Sequence, residues 1–385
     1  MSPKKHFLHV FATFTPAGPQ VRTAGLMNAL GPDCRHTVIS LSGETGAADL
    51  VDAAVVLDLL KVEPKAGPVG HARALLQVLQ EQKPDLLLTY NWGAMDAVIA
   101  ARLAGFSRHV HHEDGFNVDE AQALKGRRNW TRRLTLKRSE IVVPSRNLLG
   151  IVKDTWHLPN STLIPNGVHV DRFAPDANKG TELRAEFGIP DDALVVGTMA
   201  HLRPVKRLDR LIRACASIKP DGRPLYLLIV GDGEERASLE ALAQQLAPPH
   251  GKVIFAGHMP DPAPAYSTMH ALALSSASEQ QPVSILEAMA ASLPIVSTDV
   301  GDVRYTISEE SVPMLVDPHQ SDAQVERDLA SSLEKILCDA GLRKNLASAS
   351  LRQVQEKYSF NAMLNAYQRV FERAMAQRTF GKHPG

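Results

Sequence analysis

Short apolar runs alternate with stretches of helical periodicity along this chain, and the whole alternation occurs twice. In the first half the apolar runs fall at residues 6–14, 36–41, 55–59, 86–90, 109–112 and 140–144, with helix-like stretches such as Gly70–Glu81 and Ala94–Ala104 between them. In the second half Leu194–Met199, Tyr226–Val230, Val253–Ala256, Ala271–Leu274, Pro294–Thr298 and Met314–Val316 are spaced by patterns such as Arg207–Ile218 and Glu234–Leu246. Strands that are apolar throughout are buried on both faces, which is the signature of a parallel sheet covered by helices. The expected fold class is α/β, with two Rossmann-like, doubly wound parallel-sheet domains. A chain of 385 residues also exceeds what one core usually supports.

Pro165-Asn166-Gly167 and Phe173-Ala174-Pro175-Asp176 form a turn-rich stretch read as the linker. The tail from Ser321 to Gln377 reads as almost wholly helical. Forty-two basic residues balance 42 acidic ones, so charge gives no general case for nucleic acid as a partner. Cys34, Cys215 and Cys338 are far apart and lack metal-ligand spacing, as expected of free thiols in a reducing, cytoplasmic setting. No apolar run approaches the ~20 residues of a membrane span. The charged start Met1–Lys5 reads as leading into a first strand rather than as a cleavable leader.

Doubly wound sheets bind ligands at the carboxyl ends of their strands, so the chemistry should lie in the loops that follow them. In Ser278–Ala290, Glu279 and Glu287 stand eight positions apart across a loop that runs into an apolar helix. The backbone N–H groups of Val283 and Ser284, at that helix's start, can face an anion. The two carboxylates suit hydroxyl groups of a sugar or ribose. Gly231-Asp232-Gly233 follows another strand and opens a helix, where glycine permits close backbone approach. Ala200–Arg207 supplies Arg203 and Lys206, cations suited to phosphate oxygens, and His201, which suits them only when protonated. In the first half, the loop Thr13–Arg22 carries Gly18 where a helix begins, and reads either as a ligand loop with Gln20 and Arg22 as contacts or as a plain helix N-terminus. Tyr90-Asn91-Trp92-Gly93 ends a further strand with groups fit for sugar recognition. Alternation puts His112 and Asp114 on one face, and both are candidates; His109 and His111, on the other, read as plain core or surface histidines. Lys125–Arg138 holds seven basic residues and no acidic one, with Trp130 and Leu134 among them. That composition suits an anionic membrane surface or a phosphorylated acceptor, or else a solvated basic face with its apolar residues packed inward.

Taken together, these segments resemble the E-x7-E element and its surroundings in retaining glycosyltransferases of GT-B fold, family 4 (glycosyl transferases group 1). The likeness covers nearly the whole second half. Ser292 stands where that family usually has glycine, Gln280 and Gln281 where it has glycine and an aromatic, and His201 where it has arginine. The resemblance implies a metal-independent transfer from a nucleotide diphosphate sugar, with UDP the commonest carrier. This donor is a substrate, and no cofactor is implied. It places Glu279, Lys206 and Arg203 at the reacting centre with His112 or Asp114, and Glu287 at the ribose. Gly18, Gly231, Gly233, His201, Val283 and Ser284 would line the donor. The acceptor would be a glycan or lipid-linked glycan, handled at the inner face of a membrane. Residues 1–165 plus 361–385 would form the acceptor domain, the segment around Tyr358–Arg373 crossing back to it, and 166–360 the nucleotide-sugar domain, with the site in their cleft. The rival readings are a catalytically weak binding protein and a sugar-nucleotide epimerase or hydrolase on the same fold. A dinucleotide dehydrogenase is disfavoured, since no Gly-x-Gly-x-x-Gly follows the first strand.

Overall fold

The computed structural model describes residues 4–62, 67–115, 125–220, 222–246 and 251–377, with the side chains of 67–69 left out. Met1–Pro3 and residues 378–385, which the expected domain bounds include, lie outside this set. The chain divides into two compact units: Met1–Asn166 with Met363–Gly385, and Gly167–Ala362.

The first unit is built on seven parallel strands: β1 (Lys5–Phe11), β2 (Cys34–Ser40), β3 (Val56–Leu59), β4 (Leu86–Tyr90), β5 (His109–His112), β6 (Glu140–Val143) and β7 (Ser161–Leu163). Their order is β3-β2-β1-β4-β5-β6-β7. The chain therefore builds outward from β1 in one direction, then returns to build in the other, and the reversal lies between β1 and β4. Strand β7 is three half-buried residues, two of them hydroxylic, which is why no apolar run betrays it. The second unit repeats the plan with β8 (Leu194–Met199), β9 (Leu225–Val230), β10 (Gly251–Gly257), β11 (Ala271–Leu274), β12 (Ile295–Thr298) and β13 (Leu315–Val316). Its order is β10-β9-β8-β11-β12-β13, so the reversal lies between β8 and β11. All strand pairs in both sheets are parallel.

One correction to the sequence reading concerns the segment at the unit boundary, while the tail is helical as expected. The stretch that contains Phe173–Asp176 is not linker. Val168 pairs with Ser359, Phe173 packs in the second unit's core, and Asp176 caps the helix Ala177–Glu186. The tail is three helices, Asp322–Cys338, Ala340–Lys357 and Phe360–Ala376. The last of these lays Tyr367, Val370, Phe371 and Ala374 into the first unit, all of them buried. Phe371 meets Phe7 edge-on at 5.7 Å, and Arg373 pairs with Glu140 at 3.0 Å. Among the described residues, no helix is long and apolar enough to cross a membrane.

Candidate active site

The topological reversal of the second sheet is where its polar residues converge. The loop after β8 turns through Pro204–Lys206, and the loop after the neighbouring β11 carries Ser275–Pro282. The two are tied by backbone and side chain: Ala277 N–H donates to the Val205 carbonyl (2.8 Å), and Ser275 Oγ donates to the carbonyls of Lys206 (3.1 Å) and Arg207 (2.8 Å). This clamp brings Lys206 Nζ to 2.6 Å from Glu279 Oε1, which Ser276 Oγ also reaches at 2.7 Å. The pair is partly buried, with 23% and 11% of the two side chains exposed. A pair so placed stays in reach of a ligand, without the full desolvation cost of a deep ion pair.

Glu287 lies one turn into the helix Val283–Ala290. Tyr266 Oη donates to its Oε2 at 2.6 Å. Burial raises the Glu287 carboxyl above its ordinary range, and the Tyr266 hydroxyl opposes that shift. The cap position of this helix is Pro282, whose side chain offers no acceptor, so the amides of Val283 and Ser284 have no side-chain cap. Gly231 and Gly233 have a reason to be glycine inside the protein itself. A Cβ on Gly231 would stand 1.9 Å from the Ala200 carbonyl oxygen, and one on Gly233 would stand 2.5 Å from both His201 Nδ1 and the Leu202 oxygen. Packing against the loop after β8 accounts for both. His201 and Arg203 are exposed. Arg207 is held by Asp209 (3.0 Å) and Asp322 (2.7 Å).

The corresponding reversal in the first unit gathers a second group. Arg22 Nη1 binds Asp114 Oδ1 at 2.7 Å and the Asn166 side-chain oxygen at 3.1 Å. The Asp114 amide donates to Asn91 Oδ1 at 2.7 Å. Arg22 Nε, Gln20 Oε1 and Asp114 Oδ2 are buried without a hydrogen-bond partner among the described residues. Unspent polar atoms of both kinds, donor and acceptor, suit a group rich in hydroxyls. His112 is stacked between Tyr90 (4.5 Å) and Tyr367 (5.7 Å), and burial, with the Arg22 charge, pushes its imidazole down to about 3. It is a neutral imidazole here. His109 and His111 share the Thr89 hydroxyl at 2.8 and 2.7 Å and belong to the core. Gly18 opens the helix Gly18–Leu30; it is exposed, and a Cβ there would have nothing within 4 Å. The structure thus gathers Glu279, Lys206, Glu287, Val283 and Ser284 in one unit, and Asp114 with His112 in the other. Arg22, a candidate from the loop Thr13–Arg22, joins the first unit's group, and Tyr266 and Asp322 complete the second's. The partners of Tyr266 and Asp322 are 21 and 115 positions away, so no local motif reveals these two.

Two family models match this chain: glycosyl transferases group 1 over residues 180–352, and the glycosyl transferase 4-like domain over residues 17–167. The chain belongs to the group 1 glycosyltransferases. This glycosyltransferase is 26% identical over 318 residues to an uncharacterized glycosyltransferase of Methanocaldococcus jannaschii, covering 78% of each chain. It is 31% identical over 184 residues to a lipopolysaccharide core biosynthesis glycosyltransferase of Rhizobium meliloti, where it spans 48% of its own length and 51% of the relative's. Its fold is that of a glycosyltransferase from Rickettsia africae (TM-score 0.80, 16% identity, 97% of this chain and 100% of that one). It is also that of Anabaena HepE, solved in complex with UDP and glucose (TM-score 0.78, 16% identity, 96% and 100%). The fold is therefore GT-B and the enzyme class is glycosyl transfer.

Proposed function

We propose that this glycosyltransferase moves a sugar from a nucleoside diphosphate sugar to a glycan or lipid-linked acceptor, with retention of configuration and without a metal ion. The observation that carries the reading is the Lys206–Glu279 pair at the reversal of the second sheet. A departing diphosphate gathers negative charge as the glycosidic bond breaks. Lys206, Arg203 and the amides of Val283 and Ser284 supply fixed positive ends for it. Glu279 accepts hydrogen bonds from the sugar being transferred. Glu287, oriented by Tyr266, accepts from the ribose. His201 takes the place of the family's arginine. Attack from the face the leaving group occupies, with the phosphate oxygen receiving the acceptor proton, accounts for retention. On the acceptor side, the Arg22–Asp114 group with His112 has the mixed donors and acceptors that a sugar hydroxyl needs.

UDP is the proposed carrier; the solved relative HepE holds UDP and glucose. The basic segment Lys125–Arg138 gives the enzyme an anionic partner, either a membrane surface at its cytoplasmic face or a phosphorylated acceptor. The test is thermal unfolding with UDP, GDP, ADP and CDP, each with and without EDTA. A ligand at a hundred times its Kd adds about 2.7 kcal/mol to the folded state. The expected result is a rise with UDP that EDTA leaves intact and that Glu287→Ala abolishes. No rise with any nucleotide at millimolar concentration would remove the donor-site assignment.

A further inference from the structure

The helix Gly126–Thr135 is turned inside out. At 100° per residue, Arg128 and Arg132 share one face, and Trp130 and Leu134 share the opposite one. The face with the arginines is the one turned to the core. Arg132 is fully buried, its guanidinium 4.9 Å from the Trp92 ring and 4.7 Å from the Trp156 ring, and hydrogen-bonded to the buried Glu113 at 3.1 Å. Arg128 stacks on Trp92 at 5.0 Å, and Trp156 Nε1 donates to Asn129 at 2.9 Å. The outer face is left to Trp130, 64% exposed, and Leu134, 44% exposed. The helix's orientation is thus set by its cations, and its largest apolar groups meet solvent.

Exposed apolar residues of this size, one turn apart, call for a partner. Around them Arg127, Arg133, Lys137 and Arg138 are all exposed, with no acidic residue anywhere in Lys125–Arg138. A third exposed apolar side chain belongs to the same corner. Leu103 is 66% exposed, and the adjacent Arg102 donates to the Thr135 carbonyl and to Ser139 Oγ, both at 2.6 Å. We infer that this face docks on an anionic lipid surface, with Trp130 and Leu134 entering the boundary between headgroups and acyl chains and Arg127, Arg133 and Lys137 engaging lipid phosphates. The inference rests on the reading that the partner of this segment is anionic, and the geometry selects a membrane over a soluble phosphate. A phosphate site needs cations converging on one point. Here they ring an apolar pair, which is the pattern of a helix lying in a membrane interface.

The experiment is sedimentation of the whole protein with vesicles of phosphatidylcholine alone and of phosphatidylcholine mixed with phosphatidylglycerol, at two salt concentrations. Trp130 is the exposed one of the three tryptophans, since Trp156 is fully buried and Trp92 is covered by two arginines. A blue shift of emission on the mixed vesicles therefore reports its insertion. The expected result is binding to the mixed vesicles, at least about tenfold weaker in Arg127→Glu/Arg133→Glu, and weaker again with no blue shift in Trp130→Ser/Leu134→Ser. All four side chains are exposed, so both variants should keep the wild-type unfolding midpoint and its rise with UDP. Charge reversal that abolishes binding while the serine variant binds normally would overturn insertion. Absence of vesicle binding, with inorganic phosphate protecting Arg127 and Arg133 from a guanidinium-modifying reagent, would assign the segment to a phosphorylated acceptor instead. Loss of the UDP response in the wild type would count against the transferase reading alone and leave vesicle binding to be judged on its own.

Discussion

Ser292 has φ +56°, in the left-handed region that side chains with a Cβ adopt at a cost of roughly 1–2 kcal/mol. It sits just past the helix Val283–Ala290, where its N–H donates to the Met289 carbonyl and that of Leu293 to Ala288, the closing pair of a Schellman motif. The glycine usual at this place in related chains thus has a backbone reason. Ser292→Gly should raise stability by about 0.5–1 kcal/mol, less than the full strain because glycine also loosens the unfolded chain. Chemical denaturation would measure it. Gly301 is the converse case. Its φ is +57°, and a Cβ there would lie 2.3 Å from the Glu279 carbonyl oxygen and 2.6 Å from that of Gln280. Gly301→Ala should cost about 3 kcal/mol through strain and overpacking, and, because the clash falls on the backbone that carries Glu279, donor turnover should fall further than stability does. Equal loss of turnover and folded fraction would show that the glycine serves packing alone.

At the scale of elements, the apolar runs mark twelve of the strands, most of them buried along nearly their whole length. They miss β7, where two of three residues are hydroxylic, and they do not show that Val168 and Phe173 belong to a core. The Glu279–Glu287 spacing is legible for a similar reason: one loop and one helix turn hold both residues. What is not legible lies across elements. Asp322, the first residue of the helix Asp322–Cys338, accepts from Arg207 Nη2 (2.7 Å) and Arg210 Nε (2.9 Å), and these two arginines hold its carboxyl down to about 2. Arg207 follows Lys206 directly and has φ +47°. The Asp322 contact therefore helps fix the loop that presents Lys206 to Glu279. Asp322→Asn should cost about 1–2 kcal/mol, discounted for the exposure of the carboxylate and raised by the nearly buried Arg210 it leaves behind. It should also lower donor turnover, and a Lys206→Ala background should show little further loss in turnover. A full additional loss there would detach Asp322 from the site.

The two units differ in how they should answer acid. In the first, burial lowers His6, His9, His36, His109 and His112, with His36 brought to about 4 and His112 to about 3. In the second, only His169 and His270 are lowered among the described residues, the latter to about 4. A histidine kept neutral when folded binds its proton only on unfolding, so stability is intact above about pH 6.5 and falls as pH drops. Each contributes a loss of about 1.4 kcal/mol per pH unit between its unfolded and folded values. Scanning calorimetry between neutral pH and pH 5 should show the first unit's transition moving to lower temperature faster than the second's. Parallel movement of the two would mean that these histidines gain protons while still folded.

Residues 167–362 form a unit from one unbroken stretch of chain, whereas the first unit needs Tyr367, Val370, Phe371 and Ala374 from the far end. During synthesis the ribosome delivers the first sheet long before the helix that seals it. The amino-terminal half must wait, open along the flank where Phe7 will meet Phe371, while the later half completes its own core. The order of translation and the order of maturation are thereby reversed, and the earliest-made half is the last to close.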